Sequence, residues 1–122
     1  LELMALVRHP EKPGELLNIN IKDCWFIETV NRVITYHHAD GKKYEAAQSF
    51  KDFEGSSHLR EMKMMRMDNS NFVRIPAIKH YDQKSRTVFF ENNVTEFSKM
   101  AYIARKNHTL LQNLMKSQHD HN

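Results

Sequence analysis

The apolar positions of this chain fall in short runs separated by polar turn residues. From Leu17 the run Leu-Asn-Ile-Asn-Ile alternates, as a half-buried strand requires, and it predicts a strand over Leu16–Ile21. Cys24–Val30 is apolar and rich in aromatic and β-branched residues, which predicts a second strand. Asn31-Arg32 then offers a tight turn into Val33–His38, a third strand-like run. Asp40-Gly41 is a strong hairpin signal, because both residues tolerate positive φ, and Lys42–Ala46 returns as a fourth strand. His9–Gly14 is polar and proline-broken, a loop. The first half therefore reads as an antiparallel meander.

The period changes at Ser49-Phe50-Lys51-Asp52-Phe53. Ser49 can cap a short helix, Phe50 and Phe53 share a face three residues apart, and Gly55 can end it. The methionines of Leu59–Met67 suit a helix or a buried strand. The turn cluster Asp68-Asn69-Ser70-Asn71 that follows favours a strand over Met64–Met67. Phe72–Ile75 is a short strand stopped by Pro76. Ala77–Tyr81, Thr87–Glu91 and Val94–Phe97 read as a further meander, the last two joined by Asn92-Asn93 as a type I′ pair. Ser98 is the expected N-cap of a helix with Met100, Ile103, Leu110, Leu111 and Leu114 on one face. The class is mainly β, and no βαβ alternation supports a Rossmann-type or flavodoxin-like fold.

Length and composition limit the rest. The 122 residues make one domain, with 40% hydrophobic and 27% charged residues, a globular balance. Three glycines and three prolines leave no low-complexity linker. No apolar run approaches the roughly 20 residues that span a bilayer. No charged-then-apolar leader is present, so secretion is not expected, and the single Cys24 suits a reducing cytoplasm. The chain begins at Leu1, so residues 1–15 are expected to be an N-terminal extension or a remnant of a longer protein. Residues 16–116 form the domain, and residues 117–122 a disordered polar tail. The net charge of +3 conceals an asymmetry. Residues 1–59 carry 7 Lys/Arg against 9 Asp/Glu, and residues 60–122 carry 11 against 6. A basic second half favours a nucleic-acid partner over an acidic small substrate.

Most chemical motifs are absent. The glycines are too scattered for a phosphate loop or a dinucleotide fingerprint, and there is no nucleophile elbow. Cys24, in an apolar strand, reads as core rather than as a nucleophile. His37 and His38 are neighbours on a strand and point to opposite faces, so they do not share an ion easily. His119 and His121 sit in the tail, and neither pair completes a zinc site. No cofactor, metal or catalytic residue is expected. Nothing pairs Glu28, Glu91 or Glu96 into a two-carboxylate site. The methionine cluster reads as core filling.

One segment remains. In Arg66-Met67-Asp68-Asn69-Ser70-Asn71-Phe72-Val73-Arg74, two cations bracket short amides and a hydroxyl at a turn. Asn presents the donor and acceptor that match adenine, Arg matches guanine, and Arg and Ser suit phosphate oxygens. By itself the segment is also an ordinary polar turn.

The wider pattern resembles the LytTR family of bacterial DNA-binding domains, the output domains of many response regulators. The family's opening aspartate and apolar strand ending in glutamate match Asp23-Cys24-Trp25-Phe26-Ile27-Glu28. Its hairpin ending in Asp-Gly matches Val33 to Gly41, and its short helix matches Ser49-Phe50-Lys51-Asp52-Phe53. Its signature, approximately Phe-Ile-Arg-Val-His-Arg-Ser-Tyr-Ile-Val-Asn, matches residues 64–74, with Ile78 in register. Its closing element is approached by Phe97-Ser98-Lys99-Met100-Ala101-Tyr102. Two positions depart: Asp68 stands where the family has His, and Arg74 where it has Asn. Asp68 lies close to where phosphates would be and can hydrogen-bond within the turn.

The resemblance implies stacked small antiparallel sheets with one short middle helix and a C-terminal helix. It also implies DNA reading by loops that enter successive major grooves. Carried over by position, Asn31 and Arg32 form the first loop. Asn69, Ser70 and Asn71 form the second, with Arg66 beside it, and Lys99 marks the third. Arg32, Arg66, Arg74 and Lys99 would meet phosphates, and Asn31, Asn69 and Asn71 base edges. The expected partner is double-stranded DNA at paired direct repeats, with an upstream receiver domain or a second copy as further partners, and no membrane. The competing reading is a non-catalytic β-rich interaction or sensor module. An enzyme ranks third, for want of a nucleophile, base and orienter together.

Overall fold

A computed structural model of the chain describes residues 3–47 and 63–120. The expected helix at Ser49–Phe53, with Gly55 at its end, lies outside these residues. The strands are β1 (Met4–Arg8), β2 (Leu16–Asn20), β3 (Cys24–Val30), β4 (Val33–His38), β5 (Lys43–Glu45), β6 (Met64–Asp68), β7 (Asn71–Arg74), β8 (His80–Asp82), β9 (Thr87–Phe89) and β10 (Met100–Tyr102). A helix, α1 (His108–Asp120), closes the described chain. All pairings are antiparallel. The strands form a two-stranded sheet β1-β2, a five-stranded sheet β5-β4-β3-β7-β6 and a three-stranded sheet β10-β9-β8.

The five-stranded sheet is covered on both faces. Alternation along β4 and β7 sends Ile34, Tyr36 and Phe72 to one core, where they meet Ala5 and Val7 of β1 and Ile19 of β2. The opposite face sends Phe26, Met67 and Val73 to a second core, where they meet Val88, Ala101, Ile103 and Leu111. Strand β3 serves both. A register shift between Cys24 and Phe26 lets Cys24 and Ile27 enter the first core while Phe26 enters the second. That double burial explains why β3 opens on the continuous apolar run Cys24–Ile27 rather than an alternating one.

Four sequence expectations are corrected. First, Met4–Arg8, within the expected N-terminal extension, is a strand: it pairs with β2 in full register, and Val7 is completely buried. Its pattern is too brief to stand out without its partner strand. Second, Val94–Phe97 is not a strand, and Asn92-Asn93 does not take the positive φ of a type I′ turn. Phe97 is 87% exposed, so no sheet covers it. Third, Ser98 caps no helix. Its hydroxyl accepts from the Thr95 amide at 2.8 Å and closes a local turn. Met100–Tyr102 is strand β10, with Ala101 and Ile103 inward at period two, and the helix starts only at His108. The spacing of Met100 and Ile103 fits either period, and pairing with β9 decides it. Fourth, α1 continues to Asp120, through the first residues of the expected polar tail. Among the described residues, no helix is long and apolar enough to cross a membrane.

The buried position of Val7 makes a direct test of β1. Val7→Asp places a carboxylate in an apolar core and should lower the unfolding free energy by about 2 kcal/mol or more. Urea denaturation followed by circular dichroism measures it, and an unchanged midpoint would show β1 to be dispensable.

Candidate nucleic-acid interface

Two turns lie at one end of the five-stranded sheet. The first joins β3 to β4 through Asn31 and Arg32, just beyond the Val30–Val33 pair. Both turn residues have positive φ, +50° and +69°, the signature of a type I′ hairpin. Asn adopts this conformation readily, whereas Arg is held there against its preference. Arg32 is exposed.

The second turn joins β6 to β7 through Asn69 and Ser70. Strand β7 pairs with β3 at Asn71–Glu28, and the Thr29 amide donates to the Ser70 carbonyl at 2.8 Å. The two turns are thereby fixed side by side. Arg66 braces the second from within: its guanidinium donates to the Asn69 carbonyl at 2.8 Å and reaches the Asp68 carbonyl at 3.4 Å. The Ser70 hydroxyl donates to Asp68 Oδ2 at 3.2 Å.

Lys99 approaches from another quarter. Its Nζ is 3.1 Å from Nδ1 of His37, and Nε2 of that ring is 2.8 Å from Glu28 Oε1. An ammonium only donates, so Nδ1 accepts and Nε2–H donates to Glu28. The buried imidazole also stacks on Phe26, with centroids 4.1 Å apart. Burial pushes the Lys99 ammonium below its ordinary pKa. A groove of about 360 Å³ runs over β3, β4 and β5 between Asn31 and His37 and joins the first turn to this cluster. Nothing local in the sequence marks the His37–Glu28 pair as part of a site, because Lys99, which joins it through His37, lies 62 residues from His37.

Two candidate side chains lie elsewhere. Asn71 is only 5% exposed, and its Nδ2 donates to the Tyr102 carbonyl at 2.7 Å, tying β7 to β10. Arg74 sits at the far end of β7, where its Nε donates to the Cys24 carbonyl at 3.1 Å beside the β3 register shift. Both brace the framework: Asn71 turns its side chain inward beside the second turn, and Arg74 stands at the opposite end of β7. The structure thus gathers Asn31, Arg32, Arg66, Asn69 and Ser70 at one end, with Lys99 held apart from them against His37.

A further pair of cations stands beside the second turn. Arg105 and Lys106 lie in a 3-10 turn before α1 and are exposed. The Met67 carbonyl anchors this turn, accepting from the Ala104 amide at 2.8 Å and Asn107 Nδ2 at 2.9 Å. Lys106 and Asn107 share a hollow of about 140 Å³ with Arg66, Asp68 and Asn69. A legible signal existed: two cations at the start of a helix, with no acid in its first turn, oppose the helix dipole.

The remaining chemistry is quiet. Burial, with the Asp23 charge next, pushes the Cys24 thiol up to about 12, which leaves little thiolate at neutral pH. Among the described residues, no group of three or more His, Cys, Asp or Glu side chains could hold a metal ion.

Small antiparallel sheets stacked on a shared central strand, with polar turns at one end and a terminal helix, define the class: a mainly β domain that presents loops from a rigid frame. The family model described as the LytTr DNA-binding domain matches residues 14–116, and the chain belongs to that family. Among solved structures, the LytTr DNA-binding domain of a methyl-accepting/DNA response regulator from Bacillus cereus is similar, with a TM-score of 0.63 at 11% identity. The match covers 92% of this chain and 95% of that one, and it shows the fold. No curated protein matches the sequence.

The strained turn residue offers a test. Arg32→Gly should raise stability by up to about 1 kcal/mol, because glycine takes positive φ without a Cβ clash. A higher thermal midpoint is the expected outcome, and a lower one would mean that the Arg32 side chain stabilises the fold.

Proposed function

We propose that this chain is the sequence-specific DNA-binding output domain of a bacterial transcriptional regulator and reads the major groove through its loops. The observation that carries this reading is the convergence of Asn31, Arg32, Arg66, Asn69 and Ser70 at one end of the central sheet, in a chain of the LytTR family. Asn31 and Asn69 are the base-reading amides, with Ser70 beside them. Arg32, Lys106 and Arg105 meet phosphates and set register. Arg66 divides its guanidinium between bracing the loop and facing the DNA. Lys99 stands ready at the groove, held by His37.

Asn71 and Arg74 leave the contact set in this reading and hold the loops in place. The domain works without catalysis, in the cytoplasm, on paired direct-repeat sites. An upstream receiver domain or a second copy would place two such domains on one DNA face. A second reading, a protein-interaction module, draws on the exposed Phe97 and on Met100 and Tyr102, also exposed, of β10. Tight binding to a protein partner with no retention of any DNA fragment would favour it.

Capture of genomic fragments by the purified chain, followed by mobility-shift titration on the recovered site, tests the main reading. Asn69→Ala should cost roughly 1–3 kcal/mol on that site and little on random DNA. Equal loss on both would remove Asn69 from base reading. Affinity should also fall steeply with salt, as phosphate contacts release counterions. A flat salt response would argue against DNA as the partner.

A further inference from the structure

The Asp68 carboxylate occupies an unexpected place, in the loop proposed to approach DNA. Among the described residues it takes one side-chain hydrogen bond, from the Ser70 hydroxyl at 3.2 Å. Among the described residues no cation lies within ion-pairing distance of it. A bare carboxylate beside phosphates is repelled unless a donor on the DNA meets it.

The loop holds this carboxylate in a defined position. The register shift between Arg66 and Asp68 places Met67 inside the second core and turns the chain at Asp68. Below it, the Met67 carbonyl is fixed by Ala104 and Asn107. Beyond it, Arg66 holds the Asn69 carbonyl and Thr29 holds the Ser70 carbonyl. Asp68 therefore lines the hollow with Arg66, Asn69, Lys106 and Asn107 as a preorganised acceptor among donors.

We propose that Asp68 is a specificity-determining residue of this domain, accepting a hydrogen bond from the exocyclic amino group of a cytosine in the major groove. The base pairs differ there in what they offer a carboxylate. Guanine presents two acceptors and thymine one acceptor and a methyl group. Adenine presents a donor beside the N7 acceptor, which repels the second oxygen. Cytosine presents its N4 amino group with no adjacent acceptor. Asn69, the next residue, reads the neighbouring base pair. The inference rests on the DNA-binding reading and adds a base identity to it.

Selection of bound sites from randomised double-stranded DNA, with the wild-type chain, Asp68→Asn and Asp68→Ala, provides the test. The wild type should enrich cytosine at one position, next to the position that loses its preference in Asn69→Ala. Asp68→Ala should lose the cytosine preference there and keep the others. Asp68→Asn, nearly isosteric and the safer folder, should shift that position toward adenine. Replacing the selected cytosine with a pyrimidin-2-one nucleotide, which lacks the amino group, should weaken wild-type binding roughly tenfold and leave Asp68→Ala unaffected. An unchanged selected sequence in both variants, or equal strengthening on all sequences, overturns the proposal and reduces Asp68 to a turn residue. A wild type that enriches no sequence overturns the DNA-binding reading along with it.

Discussion

Strand β3 has to bury both of its faces, and the rest of the molecule is arranged around that requirement. Cys24 and Ile27 enter the core beneath β1 and β2, while Phe26 enters the core beneath β8–β10 and α1. Simple alternation would send Cys24 and Phe26 to the same side, so the strand carries a register shift between them. Arg74 donates to the Cys24 carbonyl at that irregularity, which supplies a partner where the ladder is disturbed. Two thin layers stacked on one central sheet let a chain of 122 residues build two cores on the two faces of that sheet.

The candidate site inherits its rigidity from this arrangement. The Asn31-Arg32 and Asn69-Ser70 turns sit side by side because β3 pairs with both β4 and β7. Polar side chains next to the turns are used as braces: Asn71 to Tyr102, Asn107 to Met67, Arg66 to Asn69. Each ties a loop to backbone, so the exposed amides project from a fixed base. Such preorganisation keeps the ordering cost of binding low. The backbone strain at Arg32 fits the same picture, since an exposed cation occupies a position that glycine would fill more comfortably.

Much of the fold was legible where the signal is local. Cys24–Val30 and Val33–His38 have the predicted limits, because aromatic and β-branched composition and a two-residue turn bound them on both sides. Asp40-Gly41 closes its hairpin, with Gly41 at φ +90° and Asp40 accepting from the Lys42 amide at 2.7 Å. Legibility failed where one segment fits two periods, as at Met100 and Ile103, or where a strand has meaning only beside its partner, as at Met4–Arg8. For the candidate site, the two turns were legible from Asn, Ser and Arg at turn positions. The signal of the cations before α1 is masked, because a helix expected from Ser98 places them in its interior rather than at its start.

By itself the sequence determined the class, the central hairpins, the family resemblance and the polar turn residues from which the candidate site is assembled. Those features depend on neighbours a few positions apart, whose chemistry is written locally. The tertiary structure decided which polar residues face outward. Asn69 and Asn71 look alike in the sequence, yet a carbonyl 31 residues away draws Asn71 inside. Arg66 and Arg74 look alike, yet Arg74 answers a carbonyl 50 residues away. A buried polar group has to find a partner, and only the folded arrangement shows whether that partner is protein or is left to a ligand.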